Sequence, residues 1–444
     1  MTKKRKLRAL AITFALASSL AMVGCAGDPG PVDDGTSDGA CESTSATTIW
    51  RLEDNTQQPL IEAVDRFKEN WECGPLELQL QTNQGYLDKV RSAMNGNGRP
   101  GVWQNWGAGN IKDYLEADLV VDLQGAFDAD PNLKAAFMPA VLEPAAKDGK
   151  YYGIPVSGTQ PVLLFYNKTI FAEHGLNPPE TFDDLLAAVE VLKAEGIIPI
   201  ALSGQQTWTI QMYWQWLVDR VGGPEVFQRV ANGDWQGGWS DPAVLRATEM
   251  IYQLVEVGAF GDNYASVSYG AGGTETLMTE GRAAMYLMGS WAYGSMKSTA
   301  PGFVADDLGY INPPAVTGGK GDPGNVAGNP TTYLSISVSA NQETANAFLS
   351  EMYSDAYIRS IVAQGEVPVT NNADKYINEA ADPEFFEFQL NLVKSAKAFQ
   401  QSWDTAIGDD AMTPVKAEMQ RLILKQIDPQ GFVDAVLELE PDSN

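Results

Sequence analysis

Hydrophobic and polar positions alternate with two different periods along this chain. Residues 47–52 have the pattern of a first strand, and apolar side chains recur at helical spacing over residues 60–67. In residues 76–81 leucine alternates with glutamate and glutamine, which is typical of a second strand. Because a strand, a helix and a strand follow one another, the pattern predicts a parallel sheet with helices on its faces.

The same alternation continues further along the chain. It predicts a helix over 86–94, a strand over 101–106, a helix over 111–117 and a crossing to a second lobe around 154–166. Thr181 then precedes a helix with acidic residues in its first turn, and Gly196 ends that helix. A chain of 444 residues is long enough to form two such lobes.

The run Ala283–Met288 is short, apolar and bounded by glycines, as in a strand buried on both faces of a parallel sheet. Gly289 would end this strand, and Ser290 would cap a helix whose first residue is Trp291. Ligands of open α/β sheets bind beyond the carboxyl ends of the strands, so this arrangement predicts a tryptophan at a ligand site. The alternative is a tryptophan in the core.

The N-terminus has the pattern of a secretion signal. Basic residues precede an apolar stretch from about residue 9 to residue 23, which is too short to span a bilayer comfortably. Met22–Cys25 resembles a lipobox, with methionine in place of the usual leucine, so Cys25 would become a lipidated N-terminus. The alternative is an ordinary signal peptide with a chance cysteine. We expect a signal peptide at 1–24 and a flexible, lipid-anchored tether at 25–40.

The chain is strongly acidic. Removing residues 1–24 takes the formal net charge from −27 to −32, because that segment holds five basic and no acidic side chains. Such a surface repels nucleic acid and anionic lipid, so we expect no nucleic-acid partner and no membrane contact except through the lipid. The same charge disfavours an anionic substrate.

Cysteine and histidine contents restrict the chemistry. Besides Cys25, the chain has only Cys41 and Cys73, which in an oxidising compartment could form a disulfide or stay unpaired. The single histidine, His174, stands at a predicted helix end. This excludes a histidine-rich zinc site and a catalytic triad built on any other histidine, and no phosphate-binding glycine loop is present. We expect no metal and no cofactor, while enzymes that need only carboxylates remain possible.

Five blocks of sequence carry a resemblance to a known family. They include Gly-Arg-Ala-Ala-Met-Tyr-Leu-Met-Gly-Ser-Trp at 281–291, and the others fall within 101–123, 152–168, 196–208 and 348–369. In order and content they resemble the extracellular solute-binding proteins of sugar ABC transporters, which include maltose-binding protein. The resemblance implies an α/β, type II periplasmic-binding-protein-like fold, in which two lobes, each a mainly parallel sheet flanked by helices, enclose a ligand cleft. We expect one lobe from 41–158 and about 331–368, and the other from 159–330 and about 369–444.

Aromatic and polar side chains at predicted strand ends, loops and helix starts form the candidate ligand site. The aromatic ones are Trp50, Trp106, Trp208, Trp291 and Trp403, and the polar ones are Glu53, Asp54, Gln84, Asn105, Asn329 and Asp404. Aromatic faces stack on sugar rings, while amides and carboxylates exchange hydrogen bonds with hydroxyls. The resemblance implies sugar contacts for all these tryptophans except Trp50. By contrast, Trp214 and Trp216 stand in a segment that is apolar on most of its surface, and we expect them in the core.

These observations predict the extracytoplasmic substrate-binding component of a carbohydrate ABC importer, which closes on a sugar, expected to be an oligosaccharide, and passes it to the permease subunits. We expect a monomer without catalytic activity, anchored to the cell membrane by its N-terminal lipid. Two alternatives stay open: a secreted glycoside hydrolase with paired carboxylates, and a receptor of the same fold for a non-sugar solute. An amino-acid receptor should offer arginine to the ligand carboxylate, and the candidate site holds none.

Overall fold

The computed structural model describes residues 41, 43–54, 56–83, 85–270 and 272–441. The expected signal peptide, Cys25 and the expected tether lie outside these residues, and so does Gln84. The described strands are β1 (Thr47–Glu53), β2 (Leu76–Thr82), β3 (Val102–Asn105), β4 (Ala146–Lys147), β5 (Lys150–Tyr151), β6 (Ile154–Pro155), β7 (Gln160–Asn167), β8 (Ile198–Ala201), β9 (Ala283–Gly289), β10 (Leu308–Ile311), β11 (Val326–Asn329), β12 (Tyr333–Ile336) and β13 (Phe399–Gln401).

Helices cover most of the remaining described chain. They are α1 (Gln58–Asn70), α2 (Tyr86–Met94), α3 (Gly109–Glu116), α4 (Gln124–Ala129), α5 (Pro131–Ala136), α6 (Pro139–Leu142), α7 (Lys168–Glu173), α8 (Phe182–Ala194), α9 (Thr207–Gly222), α10 (Pro224–Ala231), α11 (Trp235–Trp239), α12 (Pro242–Glu256), α13 (Thr274–Thr279), α14 (Trp291–Thr299), α15 (Pro301–Asp306), α16 (Gln342–Leu349), α17 (Asp355–Ala363), α18 (Pro383–Ser395), α19 (Trp403–Ile407), α20 (Asp409–Ile423) and α21 (Pro429–Leu437). None of them combines the length and the apolar character that a bilayer span requires.

The first sheet has the strand order β2-β1-β3-β12-β6. Strand β1 is parallel to both β2 and β3, as the strand–helix–strand pattern predicts, and α1 packs its apolar face beneath them. Strand β12 returns from a distant part of the chain and runs antiparallel to β3 and β6. A disulfide joins Cys41 to Cys73 around β1 and α1.

The second sheet has the order β13-β11-β7-β9-β8, and β10 also pairs with β7. Strand β9 is buried at every position, as predicted for 283–288, and it is parallel to β8. Its other neighbour, β7, is antiparallel to it. The sheets are therefore mixed rather than mainly parallel, because β7 and β12 each enter a lobe straight from the other lobe and not through a crossover helix of their own lobe.

Local signals in the sequence account for many element ends. Thr181 and Asp184 form the predicted capping box at the start of α8, each side chain bonding to the backbone of the other. Ser290 was expected to cap α14 but does not: its hydroxyl donates to the carbonyl oxygen of Thr159 at 3.4 Å. That bond ties the end of β9 to the segment that joins the lobes.

The chain passes between the two sheets through neighbouring segments. Residues 156–159 link β6 to β7, and the backbone amides of Val156 and Thr159 donate to the carbonyl oxygens of Thr332 and Val367 at 2.8 and 2.9 Å. Both partners lie in later crossings of the chain. The two sheets thus meet at a narrow set of connections, and the lobe boundaries given above stay a prediction.

Candidate functional site

A cavity of about 1110 Å³ lies between the two lobes. One wall comes from the first lobe, with the end of β1, the start of α2 and Trp106 after β3. The other wall comes from the second lobe, with α9, Trp291 at the start of α14, and the α19–α20 segment. Its volume exceeds the roughly 300–1,000 Å³ usual for pockets that hold drug-sized ligands, so it can take a ligand of several rings.

Three aromatic side chains, Trp208, Trp291 and Tyr269, cluster on the second-lobe wall. The ring centroids of Trp208 and Trp291 are 6.3 Å apart, and Tyr269 meets Trp208 edge to face at 4.9 Å. Each of the three rings is half-buried and lines the cavity. Together the three rings form an aromatic surface that faces the cavity.

Gly289 explains why the Trp291 ring can lie where it does. A Cβ atom at this position would stand 2.0 Å from the nearest ring carbon of Trp291, far inside van der Waals contact. Strand β9 therefore has to end in glycine for the indole to fold back over the strand end. This gives a physical reason for the Gly-Ser-Trp sequence at the cavity.

A second aromatic pair faces the cavity from the first lobe. Trp106 is half-buried and meets Tyr86 edge to face, with ring centroids 6.1 Å apart. Tyr86 is fixed by a hydrogen bond from its hydroxyl to the carbonyl oxygen of Gln104 at 2.7 Å. Aromatic surfaces thus stand on both walls of the cavity, which is the arrangement that holds a sugar ring by its apolar faces.

The described charged side chains that line the cavity are mostly acidic. Six are carboxylates and two are cations: Glu53, Asp54, Asp88, Asp404, Asp409 and Asp410, with Arg91 and Lys416. Both cations are engaged by these carboxylates. An anionic ligand would therefore face a lining of net negative charge, in which Arg91 and Lys416 are already paired with carboxylates. The described residues contain no group of three or more His, Cys, Asp or Glu placed to hold a metal ion.

Salt bridges connect the two walls. Arg91 of α2 lies 2.6 Å from an oxygen of Asp410 and 3.4 Å from one of Asp409, at the start of α20. Lys416 bridges Asp409 at 2.8 Å and Asp404 at 3.5 Å. Its own burial opposes its charge, but these two carboxylates outweigh that effect and raise the pKa of Lys416.

The predicted site residues that line the cavity are Glu53, Asp54, Trp106, Trp208, Trp291, Asn329 and Asp404. Asp54 accepts hydrogen bonds from Arg51 and Thr56, which hold it at the cavity edge. Asn329 stands at the end of β11, and its side-chain oxygen is 3.5 Å from the hydroxyl of Thr405. The structure thus brings together residues from positions far apart in the sequence.

Three of the predicted residues do not line the cavity, contrary to the expectation, and lie inside the fold instead. Trp403 is 2% exposed and stacks on Phe227 at 4.9 Å inside the second-lobe core. Trp50 packs under α2, where its indole nitrogen donates to Gln79 at 2.9 Å. Asn105 is also buried: its amide donates to the Ser335 hydroxyl at 2.8 Å, and its oxygen accepts from a backbone amide. The polar side-chain groups of all three residues form hydrogen bonds within the fold and are not available to a ligand.

Helix α9 supplies site residues that the sequence analysis missed. Trp214 and Trp216 are in the core as expected, at 0% and 3% exposed, but Gln211 and Gln215 of the same helix line the cavity. The signal was available, because two glutamines four residues apart interrupt the apolar run 210–218 of this helix, one and two turns after Trp208.

The sequence profile of a known family matches residues 53–359 of the chain, and the family is described as bacterial extracellular solute-binding protein. This chain belongs to that family. Its two lobes and the cavity between them are the architecture in which such proteins hold a solute.

Individual members of the solute-binding family show similarity of different extent. An uncharacterized ABC transporter extracellular-binding protein of Pyrococcus horikoshii is 26% identical over 214 residues, 47% of this chain and 46% of that protein. The melibiose/raffinose/stachyose-binding protein of Bacillus subtilis is 24% identical over 316 residues, 68% of each chain. The matches thus span about half the length of the first protein and about two thirds of the second.

A solved structure shows the same fold over nearly the whole described chain. A chitin oligosaccharide binding protein superposes with a TM-score of 0.80 at 24% identity, covering 90% of this chain and 98% of that one. At this identity the likeness establishes the two-lobe fold.

Proposed function

We propose that this protein is the extracytoplasmic ligand-binding component of a carbohydrate ABC importer and that it captures an uncharged oligosaccharide between its lobes. The observation that carries the proposal is the pair of aromatic surfaces, Trp208 with Trp291 on one wall and Trp106 with Tyr86 on the other. Between them, carboxylates and amides offer hydrogen bonds to hydroxyl groups. The relative in Bacillus subtilis, a melibiose/raffinose/stachyose-binding protein, supports the same class of ligand.

The size and charge of the cavity narrow the ligand class. A volume of about 1110 Å³ favours an oligosaccharide over a single ring. The acidic lining, with both cations already paired, disfavours uronates and sugar phosphates. Closure of the lobes on the sugar would follow a hinge motion at the crossings between the sheets.

In the cell, the protein would work at the membrane together with the permease of the importer. The closed form would present the sugar to the transmembrane permease subunits of the importer, and the protein would act as a monomer held at the membrane by a lipid on Cys25. Residues 41–158 with about 331–368 would move as one lobe, and residues 159–330 with about 369–444 as the other. The strand membership of the two sheets supports these boundaries.

Titration calorimetry with raffinose, stachyose, xylotriose, triacetylchitotriose and maltotriose tests the function. We expect at least one of these neutral sugars to bind, and a uronate oligosaccharide such as trigalacturonate not to bind. Failure of the whole neutral panel, or preferential binding of trigalacturonate, would contradict the proposal. Chromatography of the sugar after prolonged incubation separates a receptor from a hydrolase, because a receptor returns it unchanged.

A further inference from the structure

One face of helix α9 is turned toward the cavity. Trp208, Gln211, Met212 and Gln215 stand at helical intervals of three and four residues, and all four line the cavity. The two glutamines are each only 1% exposed, which is unusual for amides at a ligand cavity that is open to solvent elsewhere. Their hydrogen-bonding state therefore decides what this wall can recognise.

The side chain of Gln215 has two polar atoms, and neither forms a hydrogen bond within the described fold. Its side-chain oxygen and nitrogen are both buried, and neither has a hydrogen-bond partner among the described residues. A buried amide left unpaired destabilises a protein, so most such groups in native structures have a partner. Unlike other buried unpaired groups such as the Trp239 indole nitrogen, Gln215 lines a cavity from which a partner can come.

Gln211 is half satisfied, and its orientation follows from chemistry. Its amide nitrogen donates to a carboxylate oxygen of Asp404 at 3.0 Å, and Lys416 holds the other oxygen of that carboxylate at 3.5 Å. A carboxylate oxygen accepts hydrogen bonds, so the NH2 group must face Asp404 and the amide oxygen must face away from it. That oxygen is buried and has no partner among the described residues.

We infer that Gln211 and Gln215 form a subsite for two adjacent hydroxyl groups of one sugar ring, an inference that rests on the proposed function. Together they present two acceptor oxygens and one NH2 group, which match a vicinal diol that donates two hydrogen bonds and accepts at least one. Trp208, one turn earlier on α9, supplies an apolar ring face beside them. The subsite selects hydroxyl-bearing rings, because a deoxygenated or O-methylated ring would leave the glutamines unpaired.

The variant Gln215→Met tests the subsite, since methionine has nearly the same shape without the amide. We expect its dissociation constant for the tightest-binding sugar among raffinose, stachyose, xylotriose, triacetylchitotriose and maltotriose to rise about tenfold to a hundredfold. Without sugar the variant should melt no lower than the wild type, because it removes an unpaired buried amide. Gln211→Met should also raise the dissociation constant for the same sugar.

Gln389→Met is the matched control. Gln389 is also a buried glutamine with an unpaired side-chain oxygen, but it lies in α18 and does not line the cavity. Its substitution should leave the sugar affinity unchanged.

Three results would count against the inference or its basis. A Gln215→Met protein with wild-type affinity would overturn the subsite while sugar binding by the wild type stands. A Gln215→Met protein that melts well below the wild type without sugar would show that the amide serves the fold, and this too would overturn it. A wild-type protein that binds none of the five neutral sugars would contradict the proposed function and remove the inference with it.

Discussion

Replacing Trp291 by alanine separates a ligand-contact role from a core role. Its indole lies over Gly289 and beside Trp208, half-buried at the cavity wall, so the change removes one of the three rings of the second-lobe aromatic surface. A central aromatic anchor contributes about 2 kcal/mol or more to binding, which corresponds to about a thirtyfold rise in the dissociation constant. We expect that loss in titration calorimetry with the sugar that the wild type binds best.

Trp403→Ala provides the matched control for this experiment. Trp403 is 2% exposed, stacks on Phe227 and does not line the cavity, so its truncation should cost about 3–5 kcal/mol of unfolding free energy. Trp291→Ala removes a ring that is only partly buried, so it should cost clearly less. A Trp291→Ala protein that loses as much stability as Trp403→Ala and still binds sugar normally would refute the role assigned to Trp291.

The remaining predictions concern the anchor, the disulfide and a buried acid. Cys25→Ser should release the protein from the membrane fraction, and a variant that stays there would contradict lipid anchoring. Reducing the Cys41–Cys73 disulfide, which spans 32 residues, should lower the unfolding free energy by about 3–4 kcal/mol in chemical denaturation, and an unchanged midpoint would argue against this contribution. Burial raises the pKa of Glu366 to about 7, although the Gly158 amide that donates to it opposes the shift. A raised carboxyl pKa means that the folded state binds the extra proton, so the contribution of Glu366 to stability is greatest below about pH 4.5 and is lost as pH rises through about 7. Glu366→Gln should make the fall in melting temperature between these pH values less steep, and an equally steep fall would refute the assignment.

Periodicity predicted much of the fold because it reports local burial. Strand β1, helix α1 and strand β2 follow the pattern of apolar positions closely, and so does β9. The periodicity could not predict the direction of β7. That strand pairs antiparallel to β9 because the chain arrives from the other lobe, and no local pattern encodes such a route.

The candidate site shows where local sequence stops being informative. Trp208, Trp291 and Trp403 all stand in the first turn of a helix, yet only Trp403 is fully buried. The difference comes from Phe227 and Trp239, which cover Trp403 from segments more than 160 residues earlier in the chain. Burial of a helix-start aromatic is thus decided by tertiary contacts that its neighbours in sequence do not reveal.

For helix α9 the prediction missed residues that do line the cavity, because it relied on the average character of the whole helix. Its overall apolar character correctly predicted a core helix, and that average concealed the two glutamines that face the cavity. Polar residues inside an apolar helix need a destination for their hydrogen bonds, and asking where those bonds go would have singled out Gln211 and Gln215 from the sequence.

A crystal structure of the protein with the tightest-binding neutral oligosaccharide tests the central claim most directly. The account predicts sugar rings inside the interlobe cavity, stacked against Trp208 and Trp291 from one lobe and against Trp106 from the other. Sugar density elsewhere on the surface, or in the cavity but away from all three rings, would contradict it.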